Sequence, residues 1–383
     1  MEYTKYQFEE VVTLFDKQRI PLSSMERAKR PGKYRFYGAQ GIIDYIDDYI
    51  FDGEYLLLAE DGENLKSNKQ DLAQLVDGKF WVNNHAHILR TKEVCRLRYF
   101  YYWINNKNMA EYVTGSAQPK LSQASLKKMI IHLPSLEIQD RILNVITPID
   151  EKIKENTKIN ENLAQQIETI LLAFLNGSGT TSVKLGDYLY IKGRIGWKGL
   201  KKSEYLSQSG YRIINGESLT KSGIDWSKAG YISEERYVES PEIMLKVGDI
   251  LLSKDGTIGK IGYIDNLELP TSVASGIFVI RNTKPDIIST TFIYYLLKSR
   301  LFTSFIAART EGSVIPHLYQ KDFMEFEFPL PTSDKMAEFE EITGPLFSRI
   351  VNNLNENKRL SLLRDSLLPK LMSGELDVSN LDL

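Results

Sequence analysis

The feature that most constrains this chain is an internal duplication. Sliding the sequence against itself by 197 residues aligns positions 115–177 with 312–374 without a gap. The two copies share 14 of 63 positions, where unrelated segments would share roughly four. Gly115-Ser116, Pro119, Leu121 and Gln123 fall on Gly312-Ser313, Pro316, Leu318 and Gln320. Leu133-Pro134 and Pro148 fall on Leu330-Pro331 and Pro345. Ile153, Asn156, Asn160, Leu163, Leu171 and Gly177 fall on Ile350, Asn353, Asn357, Leu360, Leu368 and Gly374. Upstream of each copy the halves diverge, leaving only faint echoes: Gly53–Leu58 with Asp61-Gly62 against Gly248–Leu252 with Asp255-Gly256, and Arg19-Ile20 against Arg194-Ile195. The plan is divergent region, repeat, divergent region, repeat. That suits a binding protein reading two different things through one scaffold.

The repeated block reads as helix. Ile142, Ile146, Ile149, Ile153, Asn156, Asn160, Leu163, Ile167, Ile170 and Phe174 step by four and three, the seam a coiled coil requires. Phe339, Thr343, Leu346, Ile350, Asn353, Asn357, Leu360, Arg364, Leu367 and Leu371 repeat those steps. Two seams of equal length most simply pack on each other. Asn156, Asn160, Asn353 and Asn357 interrupt both at matching positions; buried asparagines cost stability but fix register. The alternative is that they face solvent at a frayed stretch. Pro148 and Pro345 lack an amide hydrogen and are expected to open or kink a helix, and Pro369 to bend or end the second one early. Starting at Pro148 and ending near Leu175, the first helix would have 28 residues and measure roughly 40 Å, about one turn of B-DNA. Gly177 and Gly374 are natural stops, and Ser178–Ser182 reads as a polar linker.

The divergent regions read as mixed α/β. Tyr55–Leu58, Trp81–Arg90, Asp249–Leu252, Ile258–Ile264 and Gly276–Arg281 are β-rich, and the aromatic-bearing Arg98–Trp103 and Phe292–Leu297 are helix-like, their aromatics more often core than contact surface. The chain has 48 basic and 50 acidic residues, so its net charge of −2 does not announce a nucleic-acid binder. Local charge is more telling. Arg27, Lys29, Arg30, Lys33 and Arg35 against Glu26 give +4 over ten residues, followed by Tyr37 and Gln40. Lys192, Arg194, Lys198, Lys201 and Lys202 give +5 among glycines with no acid. Lys254, in the turn after Asp249–Leu252, is a weaker candidate of the same kind. Basic glycine-bearing loops suit phosphate contacts, while Gln, Asn and Arg reach base edges. Lys and Arg are mostly solvent-exposed in any protein, so a solvated loop is the competing reading for each residue taken singly.

Catalytic signatures are missing. There is no Asn/Asp-Pro-Pro-Tyr/Phe methylase motif, and Ser253–Lys260 lacks the spacing of a phosphate-binding loop. His85 and His87 would share a strand face, but no carboxylate lies within Trp81–Arg90 to complete a metal site, so none is expected. One cysteine, Cys95, excludes an internal disulfide. With 42% apolar residues, no long apolar run and no export signal, the chain is expected to be soluble, cytoplasmic and free of any membrane.

Gly115–Ser122, running on to Leu133–Gln139 and the heptad helix, together with the ending Leu367–Leu376, carry a family likeness; Tyr37–Ile42 and Lys246–Leu251 add to it. The chain resembles the specificity subunit of type I restriction–modification enzymes over essentially its whole length. The resemblance implies two mixed α/β target-recognition domains, residues 1–134 and 179–331, separated by two long helices, residues 135–178 and 332–383, packed as an antiparallel coiled coil. Each domain would read one half of a split site in double-stranded DNA. The chain would itself be non-catalytic and hold no cofactor, docking two methyltransferase subunits, which bind S-adenosylmethionine, and restriction/motor subunits, which use ATP and Mg. Met336 and Arg364 stand where the first repeat has Gln139 and Ile167, so the two docking surfaces are not expected to be equivalent. Two other readings remain open: a coiled-coil scaffold that joins protein partners without reading DNA, and a specificity subunit serving a fused type II methylase–nuclease.

Overall fold

The structure is a computed structural model and describes residues 2–62, 64–67, 70–115, 119–195, 199–310 and 317–379. It divides into two units, Met1–Lys154 with Glu356–Leu383, and Glu155–Asn355. Each therefore contains one divergent region and a stretch of both repeated helices.

In the first unit the strands are β1 (Thr4–Gln7), β2 (Val12–Leu14), β3 (Pro31–Gly38), β4 (Gly41–Ile46), β5 (Tyr55–Ala59), β6 (Ala73–Val76), β7 (Phe80–Val82), β8 (Ala86–Thr91) and β9 (Ile130–Leu133). They build a four-stranded antiparallel sheet in the order β2-β8-β5-β6, a three-stranded sheet β4-β3-β7 and a ribbon β1-β9. Within the three-stranded sheet, β3 runs antiparallel to β4 and parallel to β7. The unbroken apolar run of β5 marks a strand covered on both faces. Leu56 and Leu58 enter a core with Tyr99, Phe100, Ile142, Ile146 and Leu371, while Tyr55 and Leu57 pack with Phe51, Phe80 and Ile88. Each such side chain contributes about 1.5–3 kcal/mol by leaving water. The β-rich run Trp81–Arg90 is not one strand: β7 and β8 join different sheets, and a turn at Asn83–His85 divides them.

The second unit repeats this plan with a different sequence. Its strands are β10 (Thr181–Lys184), β11 (Leu189–Gly193), β12 (Tyr211–Ile214), β13 (Leu219–Thr220), β14 (Gly223–Ile224), β15 (Gly230–Ile232), β16 (Ile250–Ser253), β17 (Ile261–Tyr263), β18 (Thr271–Val273), β19 (Ile277–Asn282) and β20 (Glu327–Leu330). Orders β11-β19-β16-β17, β15-β12-β18 and β10-β20 match those of the first unit, and β12 is again antiparallel to one neighbour and parallel to the other. The small hairpin β13-β14 is an addition. Part of the expected polar linker is strand, because Thr181–Lys184 finds backbone partners in Glu327–Leu330.

The repeated blocks agree in detail. Leu136–Leu175 and Ser333–Ser373 are helices of 40 and 41 residues, each preceded by a short helix, Gln123–Lys127 or Gln320–Met324. Of the two expectations for the prolines, that Pro148 and Pro345 open helices and that Pro369 ends one is overturned, since all three lie inside helix, which leaves the kink or bend as the alternative. All three are exposed, as are Asn144, Glu341 and Asp365, four residues earlier, whose carbonyls lose the amide partner that a residue other than proline would supply. Gly374 closes the second helix with φ at +78°, a conformation glycine adopts without strain. Gly177 lies two residues past the end of the first.

The seams meet antiparallel within each unit. In the first, Asp150 pairs with Arg364 at 2.9 Å and the Asn357 amide donates to the Ile153 carbonyl at 3.4 Å. In the second, Asn353 donates to Asn160 at 2.8 Å, Asn160 donates to the Ile350 carbonyl at 3.3 Å, and Phe174 stacks edge-on to Phe339. Asn156, Asn160 and Asn353 are buried and Asn357 half-buried, so they do not lie at a frayed, solvent-facing stretch. Among the described residues no helix is long and apolar enough to cross a membrane.

Candidate nucleic-acid interface

The basic segment of the first unit folds as a capped turn of helix running into β3. Ser23 accepts from the Glu26 amide, and Glu26 returns the bond, fixing the helix Ser24–Ala28. Three of the five cations are engaged internally. Arg27 pairs with Asp44 at 3.0 Å and lies over Phe36. Arg30 pairs with Asp47 at 2.9 Å and lies over Trp81. Arg35 donates to the Asp77 carbonyl and lies over Tyr37. Lys33 is exposed beside the Tyr34 ring, and Lys29 and Gln40 are exposed. Tyr37 is only 5% exposed and packs edge-on to Phe80, so its ring is core rather than contact surface. The sequence window of +4 therefore overstates the local field, because the hairpin sets Asp44, Asp47 and Asp48 against it.

In the second unit Lys192, on β11, and Lys201 and Lys202, at a single 3-10 turn Lys202–Glu204, are exposed. Lys198 lies outside the described residues. Arg194 is 3% exposed; its guanidinium donates to the Val273 carbonyl and to the Ser240 and Ser272 hydroxyls, and is spent inside the fold. Burial also pulls its pKa below the usual arginine value. Arg19, its faint echo in the first unit, donates likewise to the Ala86 and Asn84 carbonyls. Lys254 is half-buried, with Nζ 3.7 Å from Asp255 and 5.4 Å from the Phe278 ring centre.

Sequence spacing hid several charged contacts. Asp249 is fully buried and held by both arms of Arg281 at 2.7 Å, with the Lys246 amide donating to it as well. The likeness-bearing Lys246–Leu251 phrase is thus a structural clasp. His85 and His87 part company: His85 meets Asp61 at 2.8 Å, while His87 is buried against Asp16 at 2.6 Å. Among the described residues, ligand atoms of Asp16, Glu60 and His87 lie within 4.8 Å of one another, so the fold supplies the carboxylates that Trp81–Arg90 lacks. Their lone pairs are already met by Arg19, Lys120, Gln123 and the Ile88 amide, the pattern of an ion-pair network.

The departures between the repeats are also internal. Gln139 is fully buried, accepting from the Arg96 amide and donating to the Val94 and Pro134 carbonyls, whereas Met336 packs in the second core. Ile167 is core and Arg364 pairs with Asp150.

One mixed α/β topology built twice, from unlike sequences, on repeated helices defines a duplicated specificity-type fold. The chain belongs to the type I restriction–modification DNA specificity domain family, whose model matches residues 1–165 and 178–360. A putative type I restriction enzyme specificity subunit of Haemophilus influenzae is 26% identical over 373 residues, 92% of this chain and 90% of the relative. A type I restriction enzyme specificity subunit of Methanocaldococcus jannaschii is 25% identical over 74% of this chain and 70% of its own. The crystal structure of a type I restriction–modification S subunit from M. genitalium superimposes with a TM-score of 0.62 over 97% of this chain and 96% of that one, at 18% identity, and supports the fold.

Proposed function

We propose that this chain is a non-catalytic specificity subunit that reads a bipartite site in double-stranded DNA, one half per divergent region. The recognition regions are residues 1–134 and 179–331. The repeated helices, residues 135–178 and 332–383, set the spacer and dock two methyltransferase subunits and restriction/motor subunits. S-adenosylmethionine, ATP and Mg are held by those partners. The observation that carries this reading is the pairing of conserved topology with diverged sequence: β2-β8-β5-β6 and β11-β19-β16-β17 are one scaffold offering two different sets of loops. Lys29, Lys33 and Gln40 in the first unit and Lys192, Lys201 and Lys202 in the second are the exposed candidates for phosphate and base contacts.

The test is an exchange. Replacing residues 183–330 with the corresponding region of another family member changes only one half of the methylated motif, read by methylation-aware sequencing of the host genome. A change in both halves, or in neither, refutes the assignment.

A further inference from the structure

The two helical seams carry the same polar markers. An offset of 197 residues takes Asn156 to Asn353, Asn160 to Asn357 and Ile153 to Ile350. The bonds recur with them: Asn160 donates to the Ile350 carbonyl in the second unit, and Asn357 donates to the Ile153 carbonyl in the first. Helix Leu136–Leu175 laid antiparallel on a second copy of itself would find these partners again, and so would helix Ser333–Ser373. The asparagines therefore fix register but do not choose between like and unlike helices.

The charged pair of the first seam does not recur. Asp150 meets Arg364 at 2.9 Å with the two side chains 25% and 31% exposed, and the Tyr102 hydroxyl donates to the other Asp150 oxygen. The same offset takes Asp150 to Phe347 and Ile167 to Arg364. Between the Asn160–Asn353 and Phe174–Phe339 contacts, the antiparallel register of the second unit sets Ile167 against Phe347, and both are buried. One seam is closed by an ion pair where the other is closed by hydrocarbon. Pairing like with like mismatches both. Two copies of Leu136–Leu175 would set each Asp150 against Ile167 of the other copy, and two copies of Ser333–Ser373 would set each Phe347 against Arg364. Every such mismatch strands a largely buried charge on an apolar neighbour, a costlier arrangement than either matched pair.

We propose that Asp150 and Arg364 select the helix partner: they make Leu136–Leu175 pair with Ser333–Ser373 rather than with a second copy of itself. The tether between the two helices then favours the pairing within one chain. A like pairing would set two identical divergent regions on one helix pair, whereas the unlike pairing keeps one of each. The ion pair serves this choice rather than stability, because an apolar pair closes the equivalent positions in the second unit. The first unit has room for the same solution. Asp150 lines a cavity of about 580 Å³ with Leu75, Tyr101 and Tyr102, while Phe347 packs on Tyr263, Tyr294 and Tyr295.

Refolding of the full-length chain tests this without DNA or any other protein, so its outcome is independent of the proposed function. Each protein is diluted from urea at rising chain concentration, and its dimer fraction is read by analytical ultracentrifugation. A swapped dimer of unlike helices is open to every variant alike, so only an excess over wild type reports like pairing. Asp150→Phe with Arg364→Ile gives both seams the same residues and is expected to raise the dimer fraction about tenfold at equal concentration. Asp150→Arg with Arg364→Asp keeps the ion pair in reverse and stays at the wild-type level. Should the apolar variant fail to fold, Asp150→Asn with Arg364→Gln removes both charges, and a raised dimer fraction is read from it instead. A fraction no higher than wild type without the charges, or one equally raised with them reversed, overturns the proposal.

Discussion

At the scale of the residue, burial decides which charges and amides act outward. Arg194, Lys254 and Tyr37 looked like contact residues because their neighbours were basic or glycine-bearing, and a linear window cannot register that Ser240, Ser272 and Val273 converge on Arg194. The seam asparagines were legible, since heptad spacing places them on the packed face whatever the partner. Their energetics follow from the Asn353–Asn160 bond. Asn353→Leu alone leaves a buried amide without that partner and lowers stability by about 1–3 kcal/mol. Asn160→Leu with Asn353→Leu removes both amides and regains most of the loss while loosening register. Urea denaturation of the three proteins checks this; equal midpoints for the single and double variants would show that the bond contributes nothing.

At the scale of the element, context overrode local propensity. The heptad pattern identified both helices, yet each begins about twelve residues before its first proline, at Leu136 and Ser333. Proline costs a helix on the order of 3 kcal/mol, but packing of Ile142 and Ile146 before Pro148 carries the helix through. Because Pro148 is exposed, Pro148→Ala restores an amide bond to the Asn144 carbonyl without disturbing a core contact. The variant is expected to be more stable by about 1–3 kcal/mol, read as a higher denaturation midpoint with unchanged fold by circular dichroism. The strands were harder to read. Trp81–Arg90 is one β-rich run in sequence and two strands in different sheets, a division that only the pairing partners β3 and β5 impose.

At the scale of the whole molecule, a net charge of −2 means that DNA affinity in the proposed function rests on a few exposed cations rather than on a general field. Lys29→Ala with Lys33→Ala is expected to weaken DNA binding by the assembled complex about equally for all sequences. It also flattens the dependence of log affinity on log salt by about one unit per lysine that meets a phosphate. An unchanged slope would remove these lysines from the interface. Arg27 and Arg30, held by Asp44 and Asp47, are poorer tests, since their loss also disturbs the hairpin.

The sequence alone determined the duplication, the two helical seams and the mixed α/β character of each half, because these rest on periodicity and repetition, which are properties of order along the chain. Only the tertiary structure decided that the divergent halves share one sheet topology, that the prolines lie inside helices, and which cations face solvent. Those depend on partners far apart in sequence, such as Asp16 with His87 or Asp249 with Arg281, brought together by strand pairing and burial that no local pattern encodes.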